Sequence, residues 1–199
     1  MAKKRYYAVV SGRRTGIFNS WDDCKDFVTG YPNTKYKGFC TLKEAENYMN
    51  NIEETVECSD DSLIAYVDGS FDADNMIYAY GCVLILPDGS IKEFNGNGNN
   101  QENAKLRNVT GEMLGAMHSV KYAIDNGYKS IDIRYDYAGI ECWVTGVWSA
   151  KNVLTRKYAA TMKKWSKNIS IHFTKVAAHT NVEYNERADQ LAKAALKNI

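Results

Sequence analysis

The sequence predicts an α/β protein: a mixed sheet of five strands flanked by helices, preceded by a small ββαβα module.

 The 199 residues are 45% hydrophobic and 12% aromatic, which provides enough apolar side chains for a globular core. Three consecutive strand patterns are followed by strands that alternate with helices, and this order is typical of a sheet with both antiparallel and parallel strands. An acidic stretch separates this region from the front of the chain.

The front module is predicted to contain two strands, a helix, a third strand and a second helix. Residues 6–10 and 17–18 are β-rich and are separated by a glycine-containing turn. Ser20 is expected to cap a helix in which Trp21, Cys24 and Val28 share one face. Residues 36–40 form the third strand candidate. Thr41 and the glutamate three residues later provide a capping box for the second helix.

The charge distribution divides the chain. Residues 1–50 carry nine Lys/Arg and five Asp/Glu, whereas residues 51–62 carry five acids and no base. The acidic stretch has no hydrophobic periodicity, so we expect an extended linker. We therefore predict a module at residues 1–52, a linker at 53–62 and a second domain at 63–199. The positive charge of the module suits a polyanionic partner.

The second domain begins with strands at residues 63–68, 78–86 and 90–95, which loops rich in Asp, Asn and Gly join into an antiparallel meander. A helix is predicted over residues 109–126, because Met113, Met117, Val120 and Ile124 recur at helical spacing. Strands at 130–136 and 170–176 then alternate with helices at 140–148, 158–167 and 183–196.

Composition also bears on the cellular compartment predicted for the protein. No stretch reaches the roughly 18 uncharged apolar residues that a membrane helix needs, and the start lacks an apolar leader with a cleavage site. The five cysteines are an odd number without a Cys-x-x-Cys pair, so neither a disulfide framework nor a zinc site is predicted. We expect a cytoplasmic, monomeric protein that needs no obligatory protein partner and no membrane.

Four acids lie where different elements can bring them together. Asp68 and Asp136 each follow an apolar strand, and carboxylates at neighbouring strand ends can converge. Glu112 begins the long helix, and Asp189 lies in the first half of the last helix. Asp132, in the middle of a strand, is interpreted as an exposed acid. Taken singly, each of the four has an ordinary alternative as a turn residue, a helix-dipole partner or a solvated side chain.

Convergence of these acids would require a cation. Like charges packed closely raise one another's pKa and destabilise the fold unless a positive ion lies between them. Oxygen ligands without His or Cys favour a hard ion such as Mg²⁺ or Mn²⁺. Two such ions, about 3.5–4 Å apart, can activate a water and stabilise the leaving oxygen of a phosphodiester. The residues themselves therefore predict a divalent metal cofactor, Mg²⁺ or Mn²⁺.

Four segments of the second domain resemble ribonuclease H type 1. They surround Asp68 (YVDGSF), Glu112 (RNVTGE), Asp136 (YDY) and Asp189 (NERADQLA). The resemblance spans nearly all of residues 63–197 and implies that these four acids bind two Mg²⁺ ions. Members of that family cut the RNA strand of RNA–DNA hybrids. The resemblance thus implies an endonuclease that leaves 5′-phosphate and 3′-hydroxyl ends.

The same resemblance implies further site residues. His179 would assist proton transfer or product release, and its alternative is an exposed loop histidine. Glu186 would affect metal exchange, and its alternative is an ion pair with a neighbouring base. Four residues near the acids are expected to contact the hybrid: Gly69, Ser70, Arg107 and Asn108.

The front module, over residues 4–50, resembles the hybrid-binding domain that precedes many ribonucleases H of this type. In that domain an aromatic pair packs on deoxyriboses and a lysine neutralises a phosphate. By position, the aromatic residues would be Trp21 and Tyr36, and the lysine would be Lys37. The alternatives are a core residue of its helix for Trp21 and an ordinary strand residue for Tyr36.

Together with the clustered acids, the resemblance implies a metal-dependent endoribonuclease that acts on RNA–DNA hybrids. Two other hypotheses stay open: a nucleic-acid-binding protein with an inert nuclease fold, and a DNA-acting integrase or resolvase relative. The presence of all four acids argues against the first. The front module and the Asn185-Glu186-Arg187 pattern argue against the second.

Overall fold

The computed structural model describes residues 6–39, 42–50, 62–176 and 183–197. The chain forms two compact units, Met1–Thr55 and Val56–Ile199, and each has its own sheet. Most of the predicted acidic linker lies outside the described residues. No helix within the described ranges is both long enough and apolar enough to cross a membrane.

The first unit has a three-stranded antiparallel sheet in the order β2-β1-β3, with one helix on each face. Its elements are β1 Tyr6–Ser11, β2 Gly16–Phe18, α1 Trp21–Val28, β3 Lys35–Phe39 and α2 Leu42–Asn50. Because side chains alternate along a strand, Val9 of β1 packs against Cys24 of α1, whereas Ala8 packs against Ala45 of α2.

The start of α1 confirms the predicted cap. The Ser20 hydroxyl accepts a hydrogen bond from the backbone N–H of Asp23 at 3.2 Å, which satisfies a free donor of the first turn. The capping box predicted at Thr41 lies outside the described residues.

The second unit has a five-stranded mixed sheet in the order β6-β5-β4-β7-β8. The first three strands along the chain pair antiparallel, and β4, β7 and β8 pair parallel, which confirms the predicted fold class. The strands are β4 Ser62–Asp72, β5 Ile77–Ile85, β6 Ile91–Gly98, β7 Ser130–Tyr135 and β8 Ser170–Lys175. The helices are α3 Gln101–Ala104, α4 Asn108–Asp125, α5 Gly139–Thr145, α6 Val153–Trp165 and α7 Glu183–Ala195.

Alternation along β4 supplies a core on each face of this sheet. Leu63, Ala65 and Val67 pack with side chains of α4, α5 and α6, whereas Ile64 and Tyr66 pack with α7. The sheet is therefore covered on both faces. Helix α3 was not predicted, because four residues capped by a preceding asparagine are too few to show a hydrophobic period.

The edge strand β6 alternates asparagine and glycine, and each type faces a different helix layer. Methyl groups at Gly96 and Gly98 would collide with the rings of Tyr80 and Tyr78, which lie across the strand. On the opposite face, the amide groups of Asn95 and Asn97 donate to backbone carbonyls of α7 at 3.3 and 2.6 Å. The strand thus makes side-chain contacts on both faces.

Two expectations about acids in this sheet are wrong. Asp68 was expected to end its strand, but β4 continues to Asp72, because β5 pairs with it over that whole length. Asp132 was expected to be exposed, but it is 0% exposed. Its carboxylate accepts from Arg134 Nε at 3.0 Å and from Thr174 Oγ1 at 2.7 Å, so the buried charge is paired.

One cysteine departs from the expectation that the chain has no disulfide framework. Cys24 and Cys82 are free and buried. Cys142, in α5, is disulfide-bonded.

Candidate active site

Asp68 and Asp136 leave the same region of the sheet. Asp68 lies two residues beyond Tyr66, the last residue of β4 that pairs with β7, while β5 continues beside it. Asp136 directly follows Tyr135, the last residue of β7. Because β4 and β7 are parallel neighbours, both carboxylates lie at the C-terminal end of β7, beside the part of β4 that extends beyond it.

Glu112 reaches these two acids because α4 packs unusually close to the strands. A methyl group at Gly111 would lie 1.9 Å from the carbonyl oxygen of Ala79, and one at Gly69 would lie 2.1 Å from that of Asn108. Real Cβ contacts are never this short. The helix therefore approaches the sheet only because both positions lack a side chain. Sequence reasoning missed this role of Gly111.

The three carboxylates form one group. Asp68, Glu112 and Asp136 each offer an oxygen, and these oxygens all lie within 4.8 Å of one another. Glu112 is 2% exposed, and its Oε2 atom is buried with no hydrogen-bond partner in the described ranges. The backbone N–H of Gly69 donates to Asp68 Oδ1 at 2.6 Å, which fixes that carboxylate.

Burial dominates the electrostatics of the group. Removal from water raises the pKa of Asp68 to about 6, and the charges of Asp136 and Asp189 add to this while the Gly69 N–H opposes it. Burial also raises the pKa of Glu112 well above its usual value, with further contributions from Asp136 and Asp68. Such a group is unfavourable as three free anions near neutral pH.

The residues fit a divalent cation. The donor set consists only of carboxylate oxygens, which suits a hard ion. Glu112 Oε2 is buried and has no hydrogen-bond partner among the described residues, so it is available as a ligand. A cation at this position would offset the mutual repulsion of the acids.

Asp189 lies beside this group rather than within it. Helix α7 packs close to β5 at Gly81, where a methyl group would lie 2.0 Å from the carbonyl oxygen of Ala188. The Asp189 charge contributes to the raised pKa of Asp68, so the two carboxylates are close enough to interact electrostatically. Its Oδ2 atom accepts from Lys193 Nζ at 2.7 Å. The structure thus brings three of the four predicted ligands together and places the fourth alongside, in an ion pair.

Lys193 was missed by sequence reasoning. It follows Asp189 by four residues on one helix, and this spacing places two side chains on the same face. The spacing was therefore a signal that could have predicted the pair.

The remaining predicted site residues differ in how exposed they are, and one of them lies outside the described residues. Glu186 is exposed on α7, and His179 lies outside the described residues. Arg107 and Asn108 are exposed at the start of α4, where Arg107 has a φ of 54°, a value that favours glycine. Ser70 is half-buried on β4. The space around Gly69 is filled by the backbone of Asn108, so this glycine has a packing role whatever else it contacts.

An aromatic group borders the acids on the side of α5. The ring of Tyr137, which follows Asp136, lies 5.9 Å from Trp143 and 6.0 Å from Trp148, centroid to centroid. The two tryptophans lie 6.1 Å apart, edge to face. Sequence reasoning did not single out these three residues.

The first unit carries an exposed aromatic surface. The ring centroids of Trp21 and Tyr36 lie 5.5 Å apart, and Tyr7 lies 5.5 Å from Trp21 on the other side. Trp21 is 38% exposed and Tyr36 is 44% exposed, so Trp21 is not a core residue of its helix. Lys37 faces the opposite side of the sheet, where its Nζ lies 5.7 Å from the ring centroid of Phe39.

Comparison with known protein families identifies both units. The family model of RNase H matches residues 60–197, which include all four acids. This chain belongs to the ribonuclease H family. A second model, described as the ribonuclease H1 N-terminal domain, matches residues 5–49. Both matches confirm the resemblance drawn from the sequence.

Individual relatives agree with these models. The chain is 50% identical to mouse ribonuclease H1 over 46 residues, and 44% identical to the Schizosaccharomyces pombe ribonuclease H over 46 residues. Each alignment covers 23% of this chain but only 16% and 17% of the respective relative, so the matched length is a small part of those proteins.

Solved structures confirm the fold of the second unit. Ribonuclease H1 from Halobacterium salinarum superimposes with a TM-score of 0.59 at 26% identity, over 69% of this chain and 99% of that one. LC11-RNase H1, solved in complex with an RNA/DNA hybrid, superimposes with a TM-score of 0.56 at 17% identity, over 68% of this chain and 97% of that one.

Proposed function

We propose that this protein is a metal-dependent endonuclease that hydrolyses the RNA strand of RNA–DNA hybrids. The observation that carries the proposal is the convergence of Asp68, Glu112 and Asp136 within 4.8 Å, from two strands and a helix of a ribonuclease H fold. The match of the first unit to a ribonuclease H1 N-terminal domain supports a hybrid as the substrate.

The three clustered carboxylates would hold divalent metal ions, with Asp189 as a fourth ligand once it exchanges Lys193 for a cation. Two Mg²⁺ ions, or Mn²⁺ in their place, would supply an activated water and stabilisation of the leaving 3′-oxygen, giving 5′-phosphate and 3′-hydroxyl products. The Oε2 atom of Glu112 supports this assignment, because it is buried and the part of the chain that the structure describes offers it no hydrogen-bond partner.

The side chains of the protein have separate tasks in this proposal. The Gly69 N–H holds Asp68 in one orientation, and the backbone N–H of Tyr137 does the same for Glu112. His179 and Glu186 would move protons and assist metal exchange beside the acids. Substrate contacts would come from the exposed start of α4 and from the part of β4 that follows Asp68: Gly69, Ser70, Arg107 and Asn108.

The first unit would hold the hybrid for the second. Trp21 and Tyr36 present exposed rings side by side, which suits packing on the sugars of the DNA strand. Lys37 would contact a phosphate from the other face of the sheet. Covalent linkage of the two units raises the local concentration of substrate at the acids, so a monomer suffices for repeated cuts.

Cleavage assays test the proposal directly. The full chain is incubated with an RNA–DNA hybrid, double-stranded RNA or duplex DNA, each with Mg²⁺ or with a chelator. We expect cleavage of the RNA in the hybrid alone, and only with the metal. Asp136→Asn should bind hybrid with nearly unchanged affinity and lose most turnover, because the ligand acts on the reacting phosphate rather than on binding.

Each alternative hypothesis predicts a different result. An inert nuclease fold would bind hybrid and cut nothing in any metal. A DNA-acting relative would cut duplex DNA. Near-normal turnover of Asp136→Asn would remove this residue from the mechanism.

A further inference from the structure

A pair of side chains lies next to the acids on one face of the sheet. Residues two apart on a strand share a face, so Tyr66 faces the same side as Asp68. Arg134 lies two residues before Asp136 and is the register partner of Tyr66 on the neighbouring strand. Tyr66 is buried and packs with α7. Tyr66 and Arg134 therefore form the row next to the acids, on the face that α7 covers.

Arg134 joins neighbouring strands through hydrogen bonds. Its Nη1 atom donates to the Tyr66 hydroxyl on β4 at 2.6 Å, and its Nε atom donates to Asp132 Oδ2 on β7 at 3.0 Å. Thr174 Oγ1, on β8, donates to the other oxygen of Asp132 at 2.7 Å. The guanidinium carbon also lies 5.2 Å from the centroid of the Tyr66 ring. We call Tyr66, Asp132, Arg134 and Thr174 the Arg134 network.

The Arg134 network reaches the helix that bears Asp189. The ring centroids of Tyr66 and Tyr184 lie 5.6 Å apart, with the rings tilted by 45°. Tyr184 is the second residue of α7 and precedes Asp189 by five residues. Further along, side chains of the edge strand β6 bond to the other flank of the same helix. The helix is therefore held from two sides, by β6 and, at its start, by Tyr66.

Stability alone does not account for the Arg134 network. Asp132 is fully buried, and removing its charge from water is costly. Well-packed apolar side chains in place of a buried ion pair often leave stability unchanged or increase it. The opposite face of the same strand is packed in this way, with Ile131, Ile133 and Tyr135 buried in the main core. The ion pair adds direction, since a planar guanidinium bonds two acceptors in a fixed geometry.

We propose that Arg134 is a positioning residue for the fourth acid. By orienting the Tyr66 ring, it fixes the start of α7 against β4 and so sets how far Asp189 lies from the three clustered carboxylates. The inference rests on the proposed function, in which Asp189 becomes a metal ligand. Because Asp189 lies beside the cluster rather than within it, its capture of a metal ion depends on the placement of the helix.

Two variants of the full chain and one control test this role. The apolar variant carries three substitutions together: Asp132→Leu, Arg134→Met and Thr174→Val. It removes the polar groups of the network from β7 and β8 without leaving a buried charge unpaired. Tyr66→Phe keeps the ring and removes only the hydroxyl that accepts from Arg134. The control, Tyr122→Phe, removes a hydroxyl that bonds to Lys92 near the end of α4.

Hydrogen exchange of the metal-free protein measures the contact independently of activity. In α7 the amides of residues 187–190 bond to the carbonyls of residues 183–186, the turn that Tyr184 belongs to. Their protection should fall about tenfold in the apolar variant and about threefold in Tyr66→Phe, as for residues that couple two sites. The amides of residues 192–195 and of α4 should keep their protection, and the control should match wild type throughout.

Two results of the exchange experiment would overturn the inference. One is unchanged protection of residues 187–190, and the other is an equal loss of protection throughout the second unit, which would indicate a general loss of stability. If the apolar variant is unfolded by circular dichroism, Tyr66→Phe decides alone by the same criteria.

Cleavage of a labelled RNA–DNA hybrid tests the consequence for metal binding. At saturating hybrid, the Mg²⁺ concentration that gives half-maximal turnover should rise about tenfold in the apolar variant, while the KM for the hybrid stays unchanged. Excess Mg²⁺ should restore most of the turnover, because the ligand is displaced but present. An unchanged Mg²⁺ requirement, or a loss of turnover that Mg²⁺ does not restore, would overturn the positioning role.

The two measurements separate this inference from the proposed function. Wild-type protein that cleaves hybrid with Mg²⁺, together with unchanged exchange in both variants, would leave the nuclease proposal intact and remove the role of Arg134. Wild-type protein that does not cleave, together with faster exchange limited to the start of α7, would remove the nuclease proposal and retain the Arg134 network only as an anchor of the helix.

Discussion

Replacing Asp68 with Asn should make the stability of the metal-free protein less dependent on pH. The pKa of Asp68 is raised from 3.8 to about 6 in the folded protein, so the folded state holds a proton that the unfolded chain has already released. A group whose pKa is raised by folding stabilises the folded state at pH values below its pKa in the unfolded chain. That stabilisation is lost as the pH rises through its pKa in the folded protein. At about 1.36 kcal/mol per pKa unit, the full loss is about 3 kcal/mol.

Only part of this loss of stability falls within the pH range used for the unfolding experiment. With a pKa of 3.8 unfolded and about 6 folded, linkage gives a loss of about 1.4 kcal/mol between roughly pH 5 and pH 8. Asp68→Asn keeps an oxygen to accept the Gly69 N–H but carries no charge. Between these two pH values, the free energy of unfolding of wild type should therefore fall by at least about 1.4 kcal/mol more than that of the variant. Removing the charge also lessens the repulsion on Glu112, which increases the difference.

Urea unfolding in the presence of chelator measures this difference. Both proteins are unfolded near pH 5 and near pH 8, and the free energies of unfolding are compared. All other titrating groups are shared, so their contributions, apart from that of Glu112, largely cancel. Adding Mg²⁺ at the higher pH should stabilise wild type more than the variant, because a ligand that binds only the folded state adds to its stability. Parallel pH dependences in chelator would refute the reasoning.

Three further substitutions test particular contacts. Gly111→Ala should destabilise the protein by about 2 kcal/mol or more, because the new methyl group would overlap the Ala79 carbonyl, whereas Gly115→Ala in the same helix has its nearest contact at 3.2 Å and should cost less than about 1 kcal/mol. Asp132→Asn should cost about 3 kcal/mol, because it leaves a partly buried arginine without its carboxylate. Trp21→Ala should weaken hybrid binding about tenfold, as expected for one lost stacking contact, with little change in turnover at saturating hybrid.

Each of these results has a comparison that could contradict it. Equal urea midpoints for the two helix-glycine variants would show that α4 does not depend on close packing. Asp132→Asn should be compared with Asp74→Asn at an exposed loop position, and equal small effects would contradict the buried pair. Tyr31→Ala removes another exposed ring of the first unit, and a loss of affinity equal to that of Trp21→Ala would deny a specific aromatic surface.

The sequence was sufficient for most of the elements and for the region where the acids meet. Strand alternation and helical periodicity are local signals, so the predicted strands and long helices are close to those observed. Asp68, Glu112 and Asp136 were placed together because each follows or begins an apolar element, and the structure brings them within 4.8 Å.

The remaining features depend on contacts between distant parts of the chain. Asp132 looked solvated because the sequence around an acid within a strand does not reveal its hydrogen-bond partners. Here one partner, Thr174 on the neighbouring strand, is 42 residues away. Gly111 looked like an ordinary helix residue, because the sequence does not show that the backbone of Ala79, from another element, packs against it. The opposite facing of Tyr36 and Lys37, by contrast, follows from strand alternation and was predictable.

The edge strand has a consequence for the dynamics of the last helix. Asn95 and Asn97 bond to the helix backbone, and Glu93 on the same strand forms two hydrogen bonds to Arg187 at 2.6 and 2.7 Å. These contacts join the outermost strand to most of the length of α7. Detachment of that strand would loosen the helix bearing Asp189, so we expect both to exchange their amide hydrogens as one cooperative unit.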